Sequence, residues 1–536
     1  MKRLIAILVM LLLLCGCAAE KQPEVTETVP AKEEKVDEIS FVSRFEGETV
    51  ICLSEGGLDV TGPDSLTVFA SHDIVYYEDK DYYESGNPYG EGEDADKHTA
   101  EEAGMHTVVN ITKPGTYRVT GKLPAGQIRV DLGEDAYDDP KAVVELILDN
   151  ADITCTVAPA ILFLNVYECD GDWDADTAKP DVDTANAGAN LIFQGENTVS
   201  GSYVAKIFKD KDGEKKLWKQ DGAIYSYMSM NVFGPGSLEL NAENEGMDTE
   251  LHLTINGGKT VIRSGNDGIN TNEDGVSVTT INGGRLHVIA GLGIEGDGID
   301  SNGYLVINGG MVVSSANPAS DAGLDSDLGS FIHGGTVIAL GSAMDWAESD
   351  SNQVTMNLQF AGFQAPTDAI VVKAEDGREV FSYDPAADAV LGDSARKFMG
   401  AVISCPNFQQ GETYVLYTGG RQMQYTGTDV RRGPGGHGFG GDIPDNAPPE
   451  GFGGERPELP AGDMPDNAPP EGFEPTWPEG ERPEPPASFG GEGPMDGDRG
   501  GHGLRPEGFA EAGQGNTLFY MQDMVNFFSG ITALSE

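Results

Sequence analysis

One tetrapeptide returns at almost constant spacing: Ile255-Asn256-Gly257-Gly258, Ile281-Asn282-Gly283-Gly284 and Ile307-Asn308-Gly309-Gly310, with Ile332-His333-Gly334-Gly335 as a fourth copy. The intervals are 26, 26 and 25 residues. A second signature runs in phase with it: Gly246-Met247-Asp248-Thr249, Gly268-Ile269-Asn270-Thr271, Gly298-Ile299-Asp300-Ser301 and Gly323-Leu324-Asp325-Ser326. Self-similarity at such a period means stacked structural repeats, each of which buries its apolar face only against its neighbours. Between the glycines lie short segments that alternate apolar and polar residues, such as Leu251-His252-Leu253-Thr254-Ile255 and Leu286-His287-Val288-Ile289. Period two means strands, and no helical stripe of useful length competes with it.

About three such strands fit in each repeat, separated by Gly, Asn or Asp turns. Pairing between equivalent strands of successive repeats is the way to satisfy their backbones and bury the Leu, Ile and Val. The expectation is an all-β chain: a right-handed parallel β-helix with a small β-rich C-terminal cap and a disordered Gly/Pro-rich insertion. The domain boundaries expected are a lipoprotein signal peptide at 1–16, a flexible stalk at 17–38, an N-terminal β segment at 39–107, the β-helix at 108–345 and its cap at 346–432. A Gly/Pro/Glu-rich segment follows at 433–513, with GDIPDNAPPEGF and GDMPDNAPPEGF repeated inside it, and a terminal strand at 514–536 docks back on the body.

The N-terminus reads as an address. Lys2 and Arg3 precede an eleven-residue apolar run, Leu4 to Leu14, too short for the roughly 20 residues a membrane span needs but suited to a signal peptide. Leu14-Cys15-Gly16-Cys17 resembles a bacterial lipobox, which makes Cys17 the lipidated residue. The chain is then held on the outer face of the bacterial membrane, at the cell surface, by its lipid alone. Cys52, Cys155, Cys169 and Cys405 match no zinc spacing and are buried thiols or disulfide partners.

Charge narrows the partners. Asp and Glu number 88 against 34 Lys and Arg, a net charge of −54. A nucleic-acid partner held through a basic surface is excluded, and docking on anionic headgroups is disfavoured; cations are favoured. Asp248, Asn270, Asp300 and Asp325 take one lateral position on successive repeats. Glu250, Asn272, Asn302 and Asp327 lie two residues on, and Glu245, Asp267, Asp297 and Asp321 precede the motifs. Equivalent residues on paired strands lie about 4.8 Å apart, so stacked carboxylates repel. Calcium binds oxygen at about 2.3–2.6 Å, so an ion midway between two such carboxylates removes the repulsion; a solvated ladder is the alternative. Asp170, Asp172 and Asp174 open an acidic loop spaced like an EF-hand-type loop, without Gly at its sixth place, and it is a second Ca²⁺ candidate. Asn256, Asn282 and Asn308 should stack as an amide ladder. The 30-residue interval between Asp-bearing turns hides an extra loop, Gly291 to Gly296, that should project and could wall a groove.

As a set, several runs resemble a known family. They are Gly115-Thr116-Tyr117-Arg118-Val119-Thr120-Gly121, Asp221-Gly222-Ala223-Ile224-Tyr225-Ser226, Asn266-Asp267-Gly268-Ile269-Asn270-Thr271-Asn272 and Gly296-Asp297-Gly298-Ile299-Asp300-Ser301-Asn302. Gly334 to Ala339 and Tyr414 to Gly420 extend them. The chain resembles the bacterial surface lipoproteins called carbohydrate-binding domain-containing proteins, of the clostridial cellulose- and pectin-binding parallel β-helix type. The resemblance implies calcium at Asp267, Asn270, Asp297, Asp300 and Asp325, and non-catalytic, calcium-dependent binding of a polysaccharide of plant cell-wall type by a monomer. Candidate sugar contacts are Arg263, Arg285, Glu295 and Tyr225. The rivals are a calcium-dependent polysaccharide lyase, for which Arg263 or Arg285 would have to act beside the calcium, and an adhesin or envelope scaffold without a sugar ligand.

Overall fold

The computed structural model describes residues 39–54, 57–77, 97–171, 173–211, 214–428 and 515–534. The expected signal peptide, Cys17, the stalk, Asp172 and the Gly/Pro/Glu-rich segment lie outside the described residues.

The chain is all-β. Among the described residues, helix is limited to Ala100–Gly104, capped by Thr99 and Glu102 in a reciprocal capping box, and two 3₁₀ turns. The repeats pair with one another in three parallel ladders, to the first of which the last two contribute single bridges rather than strands. In the first ladder Gly222–Ser226, Glu245–Thr249 and Ile269–Thr271 pair in parallel. Single bridges at Ile299 and Leu324 continue it. In the second, Met230–Phe233, Leu253–Ile255, Val278–Ile281, Tyr304–Ile307 and Gly329–Ile332 follow one another. In the third, Glu196–Gly201, Ser237–Ala242, Lys259–Ser264, Arg285–Ile289, Met311–Ser315 and Thr336–Gly341 do so.

The apolar member of each signature turns inward. Ile224, Met247, Ile269, Ile299 and Leu324 face one another in register and all are fully buried, each such side chain contributing roughly 1.5–3 kcal/mol of transfer free energy. Their polar neighbours are forced onto the opposite face by the period of two. The second glycine of each tetrapeptide makes the turn. Gly258, Gly284, Gly310 and Gly335 have φ of +92°, +83°, +85° and +84°. A Cβ on Gly284, Gly310 or Gly335 would lie 2.6–2.8 Å from the carbonyl oxygen of the preceding copy. The amide ladder forms beside them: Asn308 Nδ2 donates to Asn282 Oδ1 and Asn282 Nδ2 to Asn256 Oδ1, each at 2.9 Å.

Beyond Gly341 the pairing changes sign. Phe398–Ser404 runs antiparallel to Thr336–Gly341 and to Thr355–Gln364. The terminal strand Val525–Ala533 lies parallel to Thr355–Gln364. These strands build a second apolar cluster that includes Phe360, Phe398, Tyr425, Phe519 and Phe528.

Candidate metal centre

The outward column of the first ladder carries Tyr225, Asp248 and Asn270 on adjacent strands. Gly222 sits beside Asp248, and a Cβ there would fall 2.6 Å from the Asp248 Cβ, so glycine lets the two strands bring acidic side chains together. Carboxylate oxygens of Asp221, Glu245 and Asp248 lie within 4.8 Å of one another. All three side chains are buried, Asp248 completely. Lys219 forms an ion pair with Asp221 and supplies a partial counter-charge.

The donors around this cluster do not saturate it. Asn272 Nδ2 donates to Asp248 Oδ1 at 2.7 Å, and Asn270 Nδ2 donates to Glu245 Oε2 at 3.4 Å and to Asn272 Oδ1 at 2.9 Å. Asp248 Oδ2 and Asn270 Oδ1 are buried with no hydrogen-bond partner. Such orphaned acceptors are costly unless a positive group meets them. Burial first, then the facing acids, push the carboxyls of Glu245 and Asp248 well above the usual carboxylate range. Burial also raises Glu250, which accepts from the Tyr225 hydroxyl. Three carboxylates form an all-oxygen, hard donor set, which fits Ca²⁺ with water completing its six to eight positions and does not suit a thiophilic metal.

The other acidic residues expected at metal sites are spread along the same ladder. Asp267 Oδ1 accepts from Asp297 N at 2.6 Å, Asp297 Oδ1 from Ala322 N at 2.5 Å, and Asp321 Oδ2 from Gly296 N at 2.9 Å. Each thus ties one repeat to another through a main-chain N–H. Burial and the acids nearby raise Asp267 well above its ordinary range and Asp297 to about 9. Asp300 and Asp325 continue the column half-buried, and Asp327 is exposed. In the acidic loop, Asp174 Oδ1 closes a turn on Asp176 N at 3.0 Å, and Asp170 Oδ2 lies 3.9 Å from His252 Nε2.

Asp221 and Glu245 complete the centre but were not among the residues singled out for metal. Gly222 pairs with Glu245, so the repeat phase places a glycine where an acid is sought, and Asp221 arrives from one residue earlier. Glu245 was visible as the acid before its motif; its burial was the missing signal.

A family model described as "Carbohydrate-binding domain-containing protein" matches residues 105–405, more than half of the 536 residues. The chain belongs to this family. A protein of the same description from Acetivibrio thermocellus is 29% identical over 157 residues, 29% of this chain and 45% of that relative. The match therefore spans less than half of the relative's length. A solved chain described as the polysaccharide lyase-like protein from C. thermocellum, a gadolinium derivative, is 19% identical and covers 54% of this chain and 92% of its own, with a TM-score of 0.29; an overlap that loose carries no argument.

The four candidate sugar contacts fare differently. Tyr225 is 1% exposed, and its ring packs edge-on against Tyr227 at 5.1 Å, so it offers no face to a pyranose. That expectation is corrected: Tyr225, next to the inward-facing Ile224, stands on the outward column but is covered, its hydroxyl donating to Glu250. Arg263 and Arg285 belong to the third ladder, away from the carboxylates of the first. Arg263 Nη2 donates to Val390 O at 3.1 Å and Arg285 Nη1 lies 3.0 Å from Met311 Sδ. Glu295 is exposed on the projecting loop, beside Ile294 at 90% exposure. That loop is pinned at its base by Arg396, whose guanidinium donates to Gly291 O at 2.9 Å, Ser315 O at 2.9 Å and Ala290 O at 2.5 Å.

Proposed function

We propose that the protein binds polysaccharide of plant cell-wall type without cleaving it, in a calcium-dependent way, at the bacterial cell surface, where a lipid on Cys17 holds it. On this reading the three ladders are the faces of one right-handed parallel β-helix, closed at its C-terminal end by the mixed strands after Gly341. The observation that carries the calcium dependence is the pair of orphaned buried acceptors, Asp248 Oδ2 and Asn270 Oδ1, beside three clustered carboxylates.

The burial of these ligands bears on what the ion does. An ion enclosed by Asp221, Glu245 and Asp248 fixes Glu245–Thr249 in register with the neighbouring strand Gly222–Ser226, which Asp221 enters; the sugar is met elsewhere on the surface. Calcium dependence is then a property of the folded repeats. When bound, the ion supplies charge compensation. Asn270 and Asn272 orient the carboxylates, and Lys219 balances the charge that remains.

The test is retention of the purified protein on polygalacturonate and on cellulose, with calcium and with EDTA, while absorbance near 235 nm is followed for unsaturated uronate. Calcium-dependent retention at flat absorbance supports the reading. Rising absorbance makes the protein a lyase and overturns it, and retention unaffected by EDTA overturns the calcium dependence.

A further inference from the structure

The second ladder carries a feature that the metal centre does not use. Its last two full strands, Tyr304–Ile307 and Gly329–Ile332, place three rings close together on the outward face. The Tyr304 and Phe331 centroids are 6.2 Å apart, and Phe331 and His333 are 6.3 Å apart with planes inclined by 27°. All three are partly exposed, unlike the fully buried Leu305 and Ile307 between them.

Polar groups border these rings where the amide ladder stops. Asn256, Asn282 and Asn308 pass hydrogen bonds from one copy to the next, and the fourth copy has His333 in place of Asn. Asn308 is exposed, and among the described residues no donor meets its Oδ1. The main-chain N–H of Asn352 donates to His333 Nδ1 at 3.2 Å. Nδ1 is therefore an acceptor, which leaves Nε2 as the ring's donor. An amide acceptor and an imidazole donor thus stand beside aromatic faces. On the other flank, Gly329 makes room for Glu348: a Cβ there would meet the Glu348 Cγ at 2.8 Å.

We propose that Tyr304, Phe331 and His333, with Asn308 and Glu348 at the margins, form a contact site for a neutral pyranose chain with equatorial hydroxyls, such as a β-linked glucan. Such sugars have an apolar C–H face that packs on an aromatic ring and a rim of hydroxyls that both donate and accept. Half-exposed rings with a few placed polar groups match that chemistry. A uronate polymer is disfavoured here, because Glu348 sets a carboxylate beside the rings in a chain of net charge −54. The inference rests on the reading that this chain binds polysaccharide and specifies the surface and sugar class.

The test uses the full chain in calcium, with cellohexaose in calorimetry and insoluble cellulose in pull-down. The variants are Tyr304→Ala with Phe331→Leu, and separately His333→Ala. Circular dichroism and the calcium-induced stability shift serve as folding controls. The double variant is expected to lose about tenfold or more in cellohexaose affinity, about 1.4 kcal/mol. His333→Ala should lose severalfold, with retention on polygalacturonate unchanged in both. Folded variants that keep wild-type affinity for cellohexaose overturn the proposal, as does a wild-type protein that ignores neutral glucans while binding polygalacturonate. A wild-type protein that binds neither polymer overturns the broader polysaccharide reading and this site with it.

Discussion

Replacing Asp248 by Asn should reverse sign between calcium-free and calcium-loaded protein. The three carboxylates lie within 4.8 Å of one another. Two unit charges at that separation repel by about 3.5 kcal/mol at an effective dielectric constant near 20. The cluster does not bear this in full, because Lys219 offsets part of it and the buried acids take up protons instead. Removing one charge with an isosteric amide therefore stabilises the calcium-free fold by about 1–2 kcal/mol at mildly alkaline pH. With calcium the order inverts. At a hundred times its dissociation constant an ion that binds only the folded state adds about 2.7 kcal/mol, and the variant forfeits most of that by losing a charged ligand. The assay is equilibrium urea unfolding of both proteins, in EDTA and in calcium, followed through tryptophan fluorescence with the denaturant slopes compared. A variant less stable than wild type in EDTA that keeps the full calcium increment would refute the reasoning, since Asp248 would then be neither strained without the ion nor bound to it.

Three further outcomes test the frame around the centre. His252 is 2% exposed, accepts from Val278 N at 3.1 Å, and is pushed down to about 4 by burial, with Asp170 opposing. A neutral buried histidine that titrates near 6.5 when unfolded contributes stability above that pH and loses it as pH falls toward 4. The shift corresponds to about 3 kcal/mol, so His252→Gln should flatten the acid limb of a stability–pH curve between those values. Arg396→Gln removes three carbonyl contacts and should cost about 2–3 kcal/mol, with faster hydrogen exchange confined to residues 290–296 and 315. Gly310→Ala puts a Cβ 2.8 Å from the Gly284 carbonyl at φ +85° and should cost well over the ~1 kcal/mol of Gly377→Ala, whose φ is +87° with nothing within 4 Å. The comparison, by urea unfolding, separates the clash from the left-handed backbone.

Much of the strand pairing was legible because it repeats. The interval of 26 residues between Asn282 and Asn308 is the offset at which Arg285 pairs with Met311 and Leu286 with Val312, and period-two alternation alone assigns Leu286 inward and His287 outward. The acidic column was legible for the same reason. What the pattern could not carry was depth. Nothing in its spacing distinguishes Asp248, fully buried, from Asp325, half-buried, because burial of an outward residue depends on what crosses over it. Tyr225 follows the same rule: a tyrosine on an outward column reads as a surface ring until Glu250 and Tyr227 are placed beside it.

Both candidate sites lie where the repeat departs from itself. In the regular positions, side chains are committed to the neighbouring copy: Asn282 bonds Asn256 and Asn308, and Asp267 and Asp297 each accept a main-chain N–H one repeat on. A group so committed has little left for a ligand. At the start of the acidic column Gly222 replaces the acid that the phase would supply, Asp221 enters from one residue earlier, and acceptors are left without donors. At the end of the amide column His333 replaces Asn, and the last amide oxygen is left open beside aromatic rings. Periodicity satisfies hydrogen bonds by copying them, so the first and last copies of a ladder are where unsatisfied polar groups must collect. In a chain built this way, the residues to mutate first are those that break the phase.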